Sequence, residues 1–440
     1  LLPQGPLGAL VWLCAVTAAL RVVFFTAVET FLFPTPIRYI YPVIGLTGAA
    51  ACFALSGAEP RLREALRRGR IGWPHTARRL RTLALPVASV LFSLALVEGV
   101  LRALDHPRTP PPGWRSEAPV GERNELGYRG QPMVRPDGAP VVVLLGDSQV
   151  EASGQPFAQL PEAWLQRALQ ERAGAAALRV FSVGARGYGT DQELLAIQEY
   201  LASRSASLVV LWETSNNDVW NNVFPTHQPW NGAPKPTFWL EDGRLRGPWP
   251  PPVRPFPPWK VQALLWRLSP PDLDRRWERT RLPPAYDAAP VTGPPSAPVA
   301  TLPPDLPVPL LKAEKTEHAI LLTPRSPRGD YGVALTHALM LRLKQEVELH
   351  GTPFVVFSTS SRPTVHDESV LEAGGRRYRL SSRQLWDSLD QIHEGIDFLE
   401  VPVTVPDALE SDHRHLNARG NQQVMDDLAR VLVESGRLRP

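Results

Sequence analysis

The chain has 440 residues, enough for a membrane part followed by a globular part of roughly 300 residues or more. Apolar residues make up 43% of it, so a sizeable core can be buried, and its 48 prolines predict long extended connections. Residues 59–81 hold eight arginines against two glutamates, a local charge of +6, whereas the whole chain carries only +3. The rest is therefore mildly acidic. Because the basic stretch lies between apolar segments, it indicates a membrane and argues against nucleic-acid binding.

Three apolar stretches precede residue 105, and we interpret them as transmembrane helices over residues 7–28, 39–55 and 82–101. The third reaches the length of about 20 residues that a bilayer requires. Short basic loops stay in the cytoplasm, so the arginine-rich loop places everything after Leu104 outside the cytoplasm. The alternative is that these stretches are buried helices of a soluble domain. Residues 1–105 are thus the expected membrane region.

A proline-rich tether over residues 106–121 leads to a domain in which strand and helix patterns alternate. The first strand lies in Pro140–Val150, PVVVLLGDSQV, whose unbroken aliphatic run is typical of a strand buried on both faces. The next predicted elements are a helix over Phe157–Arg172, a strand over Leu178–Val183, a helix over Asp191–Tyr200 capped by Thr190, and a strand over Leu208–Trp212. This order predicts βαβ units and a parallel sheet.

The alternation stops at residues 224–329, which are rich in proline and tryptophan. One hairpin is predicted there, with Asp242 and Gly243 at its turn, and the region around Pro284–Pro309 is expected to be disordered. The alternation then returns with a helix over Ala334–Leu349, a strand over Phe354–Ser358, a helix over Ser382–His393, a strand over Ile396–Val401 and a helix over Ala418–Glu434. The segment is therefore predicted to interrupt one domain, over residues 122–440.

Small or polar residues follow the first three strands: Ser148, Gly184 and Asn217. Because the carboxyl ends of parallel strands share one edge of the sheet, we expect these residues to converge. A serine nucleophile needs a base and an acid that orients it. Asp412 and His415, three residues apart before the last helix, are the best pair for those roles.

Each of these positions also has a plain structural interpretation. GDS can be an ordinary turn after a strand, and Gly184 an ordinary strand-exit glycine. Asn217 and Asp218 can simply cap a turn. The only cysteines, Cys14 and Cys52, lie in the apolar segments, and no cluster has metal-ligand spacing, so neither a metal nor a cofactor is expected.

Taken together, four blocks resemble the SGNH hydrolase superfamily, also called GDSL esterases and lipases. They are GDS at Gly146–Ser148, the glycine at Gly184, the asparagine before aspartate at Asn217, and DHRH over Asp412–His415. NELGYRG before the first strand and HLNARGNQQVMDDL after the last block resemble membrane-anchored bacterial members. The resemblance covers about residues 122–435 without the 224–329 segment. It implies a three-layer α/β/α, flavodoxin-like parallel sheet.

The resemblance also implies a role for each matching residue. Ser148 would be the nucleophile, His415 the base and Asp412 its orienter. The backbone N–H groups of Ser148 and Gly184 and the amide of Asn217 would form the oxyanion hole.

Asp147 and Asp218 would be supporting residues of this site. His413 competes with His415 for the role of base, but the spacing favours His415. The chain departs from the family pattern at Ser215, where a glycine is usual, so the backbone beside Asn217 is expected to approach the oxyanion hole differently.

The expected function is that of a membrane-anchored serine esterase acting on ester-linked acyl groups of a cell-envelope polysaccharide or lipid. Its location would be the bacterial inner membrane, with the catalytic domain on the periplasmic or extracellular side. One alternative is an O-acyltransferase that uses the same triad with a carbohydrate acceptor. Another is a catalytically silent scaffold or glycan-binding protein of the envelope. The expected partners are the membrane and an acylated carbohydrate or lipid, and nothing in the sequence indicates an oligomeric state.

Overall fold

The computed structural model describes residues 91–104, 115–116, 118–226, 234–249, 259–262, 264, 273–292, 299–300, 308–360, 368–411 and 414–438. The chain divides into two compact units. The first comprises Leu1–Thr109 together with Phe256–Leu265, and the second comprises Pro110–Pro255 with Trp266–Pro440. A short piece of the proline-rich segment therefore belongs to the first unit.

In the first unit a helix covers residues 91–103. The carboxylate of Glu98 on this helix accepts hydrogen bonds from the backbone N–H groups of Lys260 and Val261, both at 2.9 Å. It also accepts one from Arg102 Nε at 2.6 Å. Within the described ranges, no helix combines the length and the apolar character needed to cross a bilayer. The predicted spans over 7–28 and 39–55, and residues 82–90 of the third, lie outside the described residues.

The second unit contains a central sheet, a smaller sheet and a hairpin. In chain order its strands are β1 (Val141–Gly146), β2 (Arg179–Gly184), β3 (Leu208–Trp212), β4 (Thr237–Glu241), β5 (Arg244–Trp249), β6 (Ala289–Pro290), β7 (Val299–Ala300), β8 (Phe354–Ser358), β9 (Glu368–Ala373), β10 (Arg376–Ser381) and β11 (Phe398–Glu400). Its α-helices are α1 (Ser148–Glu151), α2 (Pro161–Ala173), α3 (Thr190–Leu201), α4 (Ser215–Val223), α5 (Leu273–Arg281), α6 (Val308–Lys312), α7 (Pro327–Leu349), α8 (Ser382–Ile392) and α9 (Ala418–Glu434).

The central sheet has the strand order β2-β1-β3-β8-β11, and all four pairings are parallel. This is the order of flavodoxin-like doubly wound sheets, in which the direction of winding reverses between β1 and β3. Alternate residues of β1 enter different cores, Val143 with α3, α7 and α8 on one face, and Leu144 with α2 and α9 on the other. The sheet is therefore covered by helices on both faces, which explains the unbroken apolar run of β1.

Part of the segment between α4 and α7 packs around tryptophan. The predicted hairpin is present as β4 and β5, with Asp242 and Gly243 at positive φ in its turn. The indole of Trp277 is buried, and its ring centroid lies 6.4 Å from that of Trp239 and 5.5 Å from that of Trp249. Its Nε1 donates to the carbonyl oxygen at the end of α4 at 3.1 Å. These aromatic side chains pack on one another and on the α/β domain.

One buried lysine joins this segment to the rest of the second unit, and a second holds two parts of the segment together. The side chains of Lys235 and Asp191 form an ion pair in which both are 0% exposed. Asp191 lies in the first turn of α3, within the α/β domain. Lys315 binds the hydroxyl of Thr226 and the carboxylate of Asp274. Burying a charge is costly unless a partner is fixed beside it, so the Lys235–Asp191 pair fixes residue 235 of the segment against α3.

The smaller sheet has the order β6-β10-β9-β7, and the sequence did not predict it. Its core contains Leu371 and Tyr378 from the β9–β10 hairpin and Ala288 and Leu311 from the proline-rich segment. Disorder around Pro284–Pro309 was therefore a wrong expectation for the residues described there, because β6 and β7 lie inside that range.

Several boundaries also differ from the predicted ones, among them the starts of α2, α3 and α7. Helix α7 begins at Pro327 because Ser326 caps it, its hydroxyl accepting from Gly329 N at 2.9 Å, so the last residues of the predicted insertion are helical. Thr190 is the first residue of α3, whose N-cap is Gly189.

Candidate active site

Ser148 lies where β1 leaves the central sheet. The strand ends at Gly146, and Asp147 then caps the short helix α1, its carboxylate accepting a hydrogen bond from Gln149 N at 2.9 Å. Ser148 is the first residue of this helix and is partly exposed. The turn thus holds the serine hydroxyl at the carboxyl end of a fully buried strand, beside the point where the winding of the sheet reverses.

The imidazole of His415 faces this serine. His415 Nε2 lies 2.9 Å from Ser148 Oγ, although the two residues are 267 positions apart. The segment before α9 holds the histidine: Glu410 N donates to the His415 carbonyl oxygen at 2.8 Å, and Asn417 caps the helix. A hydroxyl and an imidazole at this separation have the geometry of a nucleophile and its base.

Asp412, the predicted orienter, and His413, the competing base, lie outside the described residues. The role of Asp412 therefore stays a prediction.

Gly184, at the end of β2, is paired in register with Gly146 at the end of β1. A Cβ atom at Gly184 would lie 2.5 Å from the Gly146 carbonyl oxygen, closer than real contacts allow. Glycine is therefore required here by the close approach of two strand ends.

Asn217 lies on α4, which follows β3, and its side-chain amide reaches Asp147. Its Nδ2 donates to Asp147 Oδ2 at 2.8 Å and to the Tyr188 carbonyl oxygen at 3.3 Å. Its Oδ1 accepts from Asn221 Nδ2 at 2.8 Å. Because a primary amide has two N–H bonds, both donors of Asn217 are directed at the protein in this arrangement. The structure thus brings Asn217 to the GDS turn, with its amide held by the aspartate of that turn.

Carboxyl groups are concentrated beneath the site. Burial raises the pKa of Asp147, while the hydrogen bond from Gln149 and the nearby His415 lower it. Burial, with the charges of Asp147 and other carboxylates nearby, raises the pKa of Glu193 well above its ordinary value, and the pKa of Asp218 is raised in the same way. Asp218 Oδ2 accepts from Thr214 N at 3.2 Å, which fixes the entry to α4. The pKa values of these carboxyl groups are therefore raised together, because they share one buried site.

Two residues that support the serine turn were not identified from the sequence as part of the site. Arg129, in the GYRG motif, is buried and donates to the carbonyl oxygens of Ala152 at 2.5 Å and Gln155 at 2.7 Å, just after α1. Gln149, next to Ser148, reaches the backbone of the segment that carries His415. The GYRG motif was visible in the sequence, but nothing in its spacing indicated which turn the arginine would hold.

No group of three or more His, Cys, Asp or Glu side chains within the described part of the chain is arranged to hold a metal ion.

No protein-family model matches the chain, and no curated protein matches it. Solved structures do match at low scores. The crystal structure of TesA is 12% identical, covers 66% of this chain and 97% of its own, and has a TM-score of 0.32. The psychrotrophic esterase EstA from Pseudoalteromonas sp. gives 9% identity, 68% and 99% coverage and a TM-score of 0.31.

A third solved structure is a mutant of Axe2, an acetyl-xylooligosaccharide esterase from Geobacillus Stearmophilus. It gives 14% identity, coverage of 67% of this chain and 93% of its own, and a TM-score of 0.30. Scores of this size do not establish a common fold, so the fold of the present chain rests on its strand order and its site on the measured distances.

Proposed function

We propose that this protein is a serine hydrolase that cleaves ester-linked acyl groups through Ser148. The observation that carries the proposal is the 2.9 Å separation of Ser148 Oγ and His415 Nε2. This pair of side chains lies where the winding of the doubly wound sheet reverses, which is where open α/β sheets bind ligands. The resemblance of the four sequence blocks to SGNH hydrolases supports the same conclusion.

The reaction follows from these two groups. His415 Nε2 takes the proton of the Ser148 hydroxyl as Oγ attacks the ester carbonyl carbon, and the carbonyl oxygen becomes an oxyanion. Collapse of this intermediate breaks the bond to the alcohol oxygen, which receives the proton from His415, and leaves an acyl group on Ser148. A water molecule then gives a proton to the same nitrogen and attacks the acyl carbon. When the bond to Ser148 Oγ breaks, His415 returns this proton to Oγ, which releases the acid and regenerates the serine.

The oxyanion requires N–H donors. The backbone N–H groups of Ser148 and Gly184 are the proposed donors, together with the Asn217 amide. Because Asn217 Nδ2 is 2.8 Å from Asp147 Oδ2 but 3.3 Å from the Tyr188 carbonyl oxygen, the second bond is the weaker one. We propose that the N–H directed at Tyr188 is the one shared with the oxyanion, while the other N–H stays bonded to Asp147. Asp412 would orient His415.

For the substrate and location, we propose an acylated polysaccharide or lipid of the cell envelope, reached from the bacterial inner membrane. The support is the apolar segments before residue 105 and the arginine-rich loop between them. Exposed Leu91 and Phe92 on the helix over residues 91–103 fit this location. With water as acceptor the protein is an esterase, and with a carbohydrate hydroxyl it is an O-acyltransferase.

The test of the proposal is labelling of the full chain, in membranes, with a fluorophosphonate that reacts with activated serines. The wild type should be labelled, and Ser148→Ala should abolish labelling. Ser205→Ala, which changes an exposed serine, should leave labelling unchanged. Labelling that survives Ser148→Ala would overturn the catalytic assignment, and an unlabelled wild type would favour the catalytically silent scaffold.

Two further measurements separate the remaining alternatives. A reporter fused after residue 440 should be found outside the cytoplasm. A reporter found in the cytoplasm would overturn the proposed orientation. Mass analysis of the products from an acylated sugar and a second, unacylated sugar distinguishes free acid from a newly acylated carbohydrate.

A further inference from the structure

Gln149 follows Ser148 on α1, and its side chain reaches the backbone on both sides of His415. Its Nε2 donates to the carbonyl oxygen of Arg414 at 3.0 Å, and its Oε1 accepts from Leu416 N at 3.4 Å. We propose that Gln149 is a positioning residue for His415, which sets where the imidazole stands relative to the neighbouring serine. This inference rests on the proposed function of the Ser148–His415 pair.

The arrangement ties the two halves of the pair to each other. Ser148 and Gln149 are consecutive in α1, whereas Arg414 and Leu416 flank the histidine in a segment more than 260 residues later. One amide group therefore links the helix that carries the hydroxyl to the peptide groups on either side of the imidazole. Any shift of the histidine segment along or away from α1 must lengthen one of these two bonds.

Two other side chains also contact this segment, both at the Leu416 carbonyl oxygen. Asn421 Nδ2 donates to the Leu416 carbonyl oxygen at 3.2 Å, and Gln155 Nε2 donates to the same oxygen at 3.5 Å. The Gln149 amide instead bonds to the residues before and after His415: it donates to the Arg414 carbonyl oxygen and accepts from Leu416 N. Glutamine suits this position because its side chain offers both an N–H donor and a carbonyl acceptor, whereas methionine of similar length offers neither.

Loss of this link should reduce the rate of the chemical step without weakening substrate binding, because Gln149 acts through His415. A displacement of about 1 Å in a reacting group can cost on the order of 100-fold in rate. A lower kcat with an unchanged KM is the signature of an interaction that matters only in the transition state. A purely structural role in α1 would instead change thermal stability without this separation.

Glutamate at this position provides a sharper test. As a carboxylate it accepts from Leu416 N but opposes the Arg414 carbonyl oxygen, since it has no donor. As a carboxylic acid it regains an O–H donor and imitates the amide. The activity of Gln149→Glu relative to the wild type should therefore rise as the pH falls toward the ordinary glutamate pKa of about 4.3, while that of Gln149→Met relative to the wild type stays flat.

The experiment compares four forms of the full chain in membranes: wild type, Gln149→Met, Gln149→Glu and Gln170→Met. Gln170 is a matched control, because its Nε2 also donates to two backbone carbonyl oxygens, those of Ala176 at 3.1 Å and Leu178 at 2.8 Å, away from the serine turn. Fluorophosphonate labelling rates, and kcat and KM for an aryl ester, are measured from pH 5 to 8.

We expect Gln149→Met to lower the labelling rate and kcat by about 10- to 100-fold, with KM within about twofold of the wild type. Gln149→Glu should recover relative to the wild type at acid pH, and Gln170→Met should match the wild type. If the wild type is labelled through Ser148 and Gln149→Met is labelled equally fast, the positioning role is wrong and the proposed function stands. The positioning role is equally wrong if the Gln149→Glu ratio is independent of pH. If the wild type itself is not labelled, the proposed function fails and this inference fails with it.

Discussion

The carboxyl edge of the central sheet and the proline-rich segment between α4 and α7 are held in place by different physical means. At the sheet edge, buried parallel strands end side by side, and the close approach of Gly184 to Gly146 leaves no room for a Cβ atom. In the proline-rich segment, buried ion pairs such as Lys235 with Asp191 take over that role. Periodic burial of apolar residues is visible in a sequence, whereas a single long-range ion pair is not. Residues in a segment of irregular sequence can therefore still be fixed parts of a domain.

The largest effect is expected at the sheet edge, from His415→Ala. Removing the base should lower kcat by about 10⁴-fold or more, because a serine hydroxyl without a base is a weak nucleophile. Steady-state kinetics on an aryl ester check this. His350→Ala, at an exposed position after α7, is the control and should be neutral. If instead only His413→Ala abolished activity, the base would be His413.

In the proline-rich segment the largest effect is expected from Lys235→Met. This change leaves Asp191 fully buried without its partner and should lower the free energy of unfolding by about 3–5 kcal/mol. Urea denaturation at pH 8 measures the loss. The double variant Lys235→Met with Asp191→Asn should recover most of it, since no charge is then left buried.

Arg379→Met is the control for that experiment, because Arg379 pairs with Glu368 at 3.0 Å while both side chains are about 60% exposed. An exposed pair should contribute less than about 1 kcal/mol. Equal losses for the two single variants would mean that burial of the pair does not hold the segment.

A smaller effect is expected from Gly184→Ala. The added methyl group would press on the Gly146 carbonyl oxygen, so the strand ends must separate, at a cost of about 1–3 kcal/mol in the free energy of unfolding. The thermal denaturation temperature and the labelling rate should both fall. Gly121→Ala, where a Cβ meets no atom within 4 Å, should change neither. A stable and fully active Gly184→Ala would contradict the close approach of β1 and β2.

The smallest effect concerns the pH dependence of stability on the sheet side. Burial raises the pKa of Glu162 to about 7 from 4.5, although the N–H groups of Gln131 and Ser182 donate to it. Between these two values the folded state keeps a proton that the unfolded state has lost, so stability falls as the pH rises through this window. The free energy of unfolding should drop by on the order of 1–2 kcal/mol between pH 6 and pH 8. Urea titrations at both pH values would show a flatter dependence for Glu162→Gln, and an unchanged slope would refute this origin.

The α/β alternation and the order of the strands along the chain were predictable, because strands such as Leu208–Trp212 and helices such as Ala418–Glu434 have clear apolar patterns. The β9–β10 hairpin was not predictable. Its strands contain several arginines and glutamates, so the alternation of buried and exposed residues is not clear in the sequence. The start of α7 does have a signal in the sequence, because Ser326 is a capping residue followed by Pro327 at the first helical position.

For the site, the sequence predicted that Ser148 and His415 belong together, and in the structure their side chains meet. Their roles and that of Asp412 remain predictions. The partners of Asn217 could not be predicted, because the amide is oriented by Asp147 and by a carbonyl oxygen of the loop after β2. The two hydrogen bonds of Gln149 could not be predicted either, because they depend on how closely α1 approaches a segment near the end of the chain.

The Lys235–Asp191 pair also has a consequence for how chains of this kind diverge. A buried carboxylate without its lysine is costly, so the two positions must change together. Among relatives that lack the proline-rich segment, position 191 should therefore carry a neutral residue, and relatives that keep the segment should keep both charges. The residue at position 191, in the first turn of α3, should therefore indicate whether a related chain carries the additional segment.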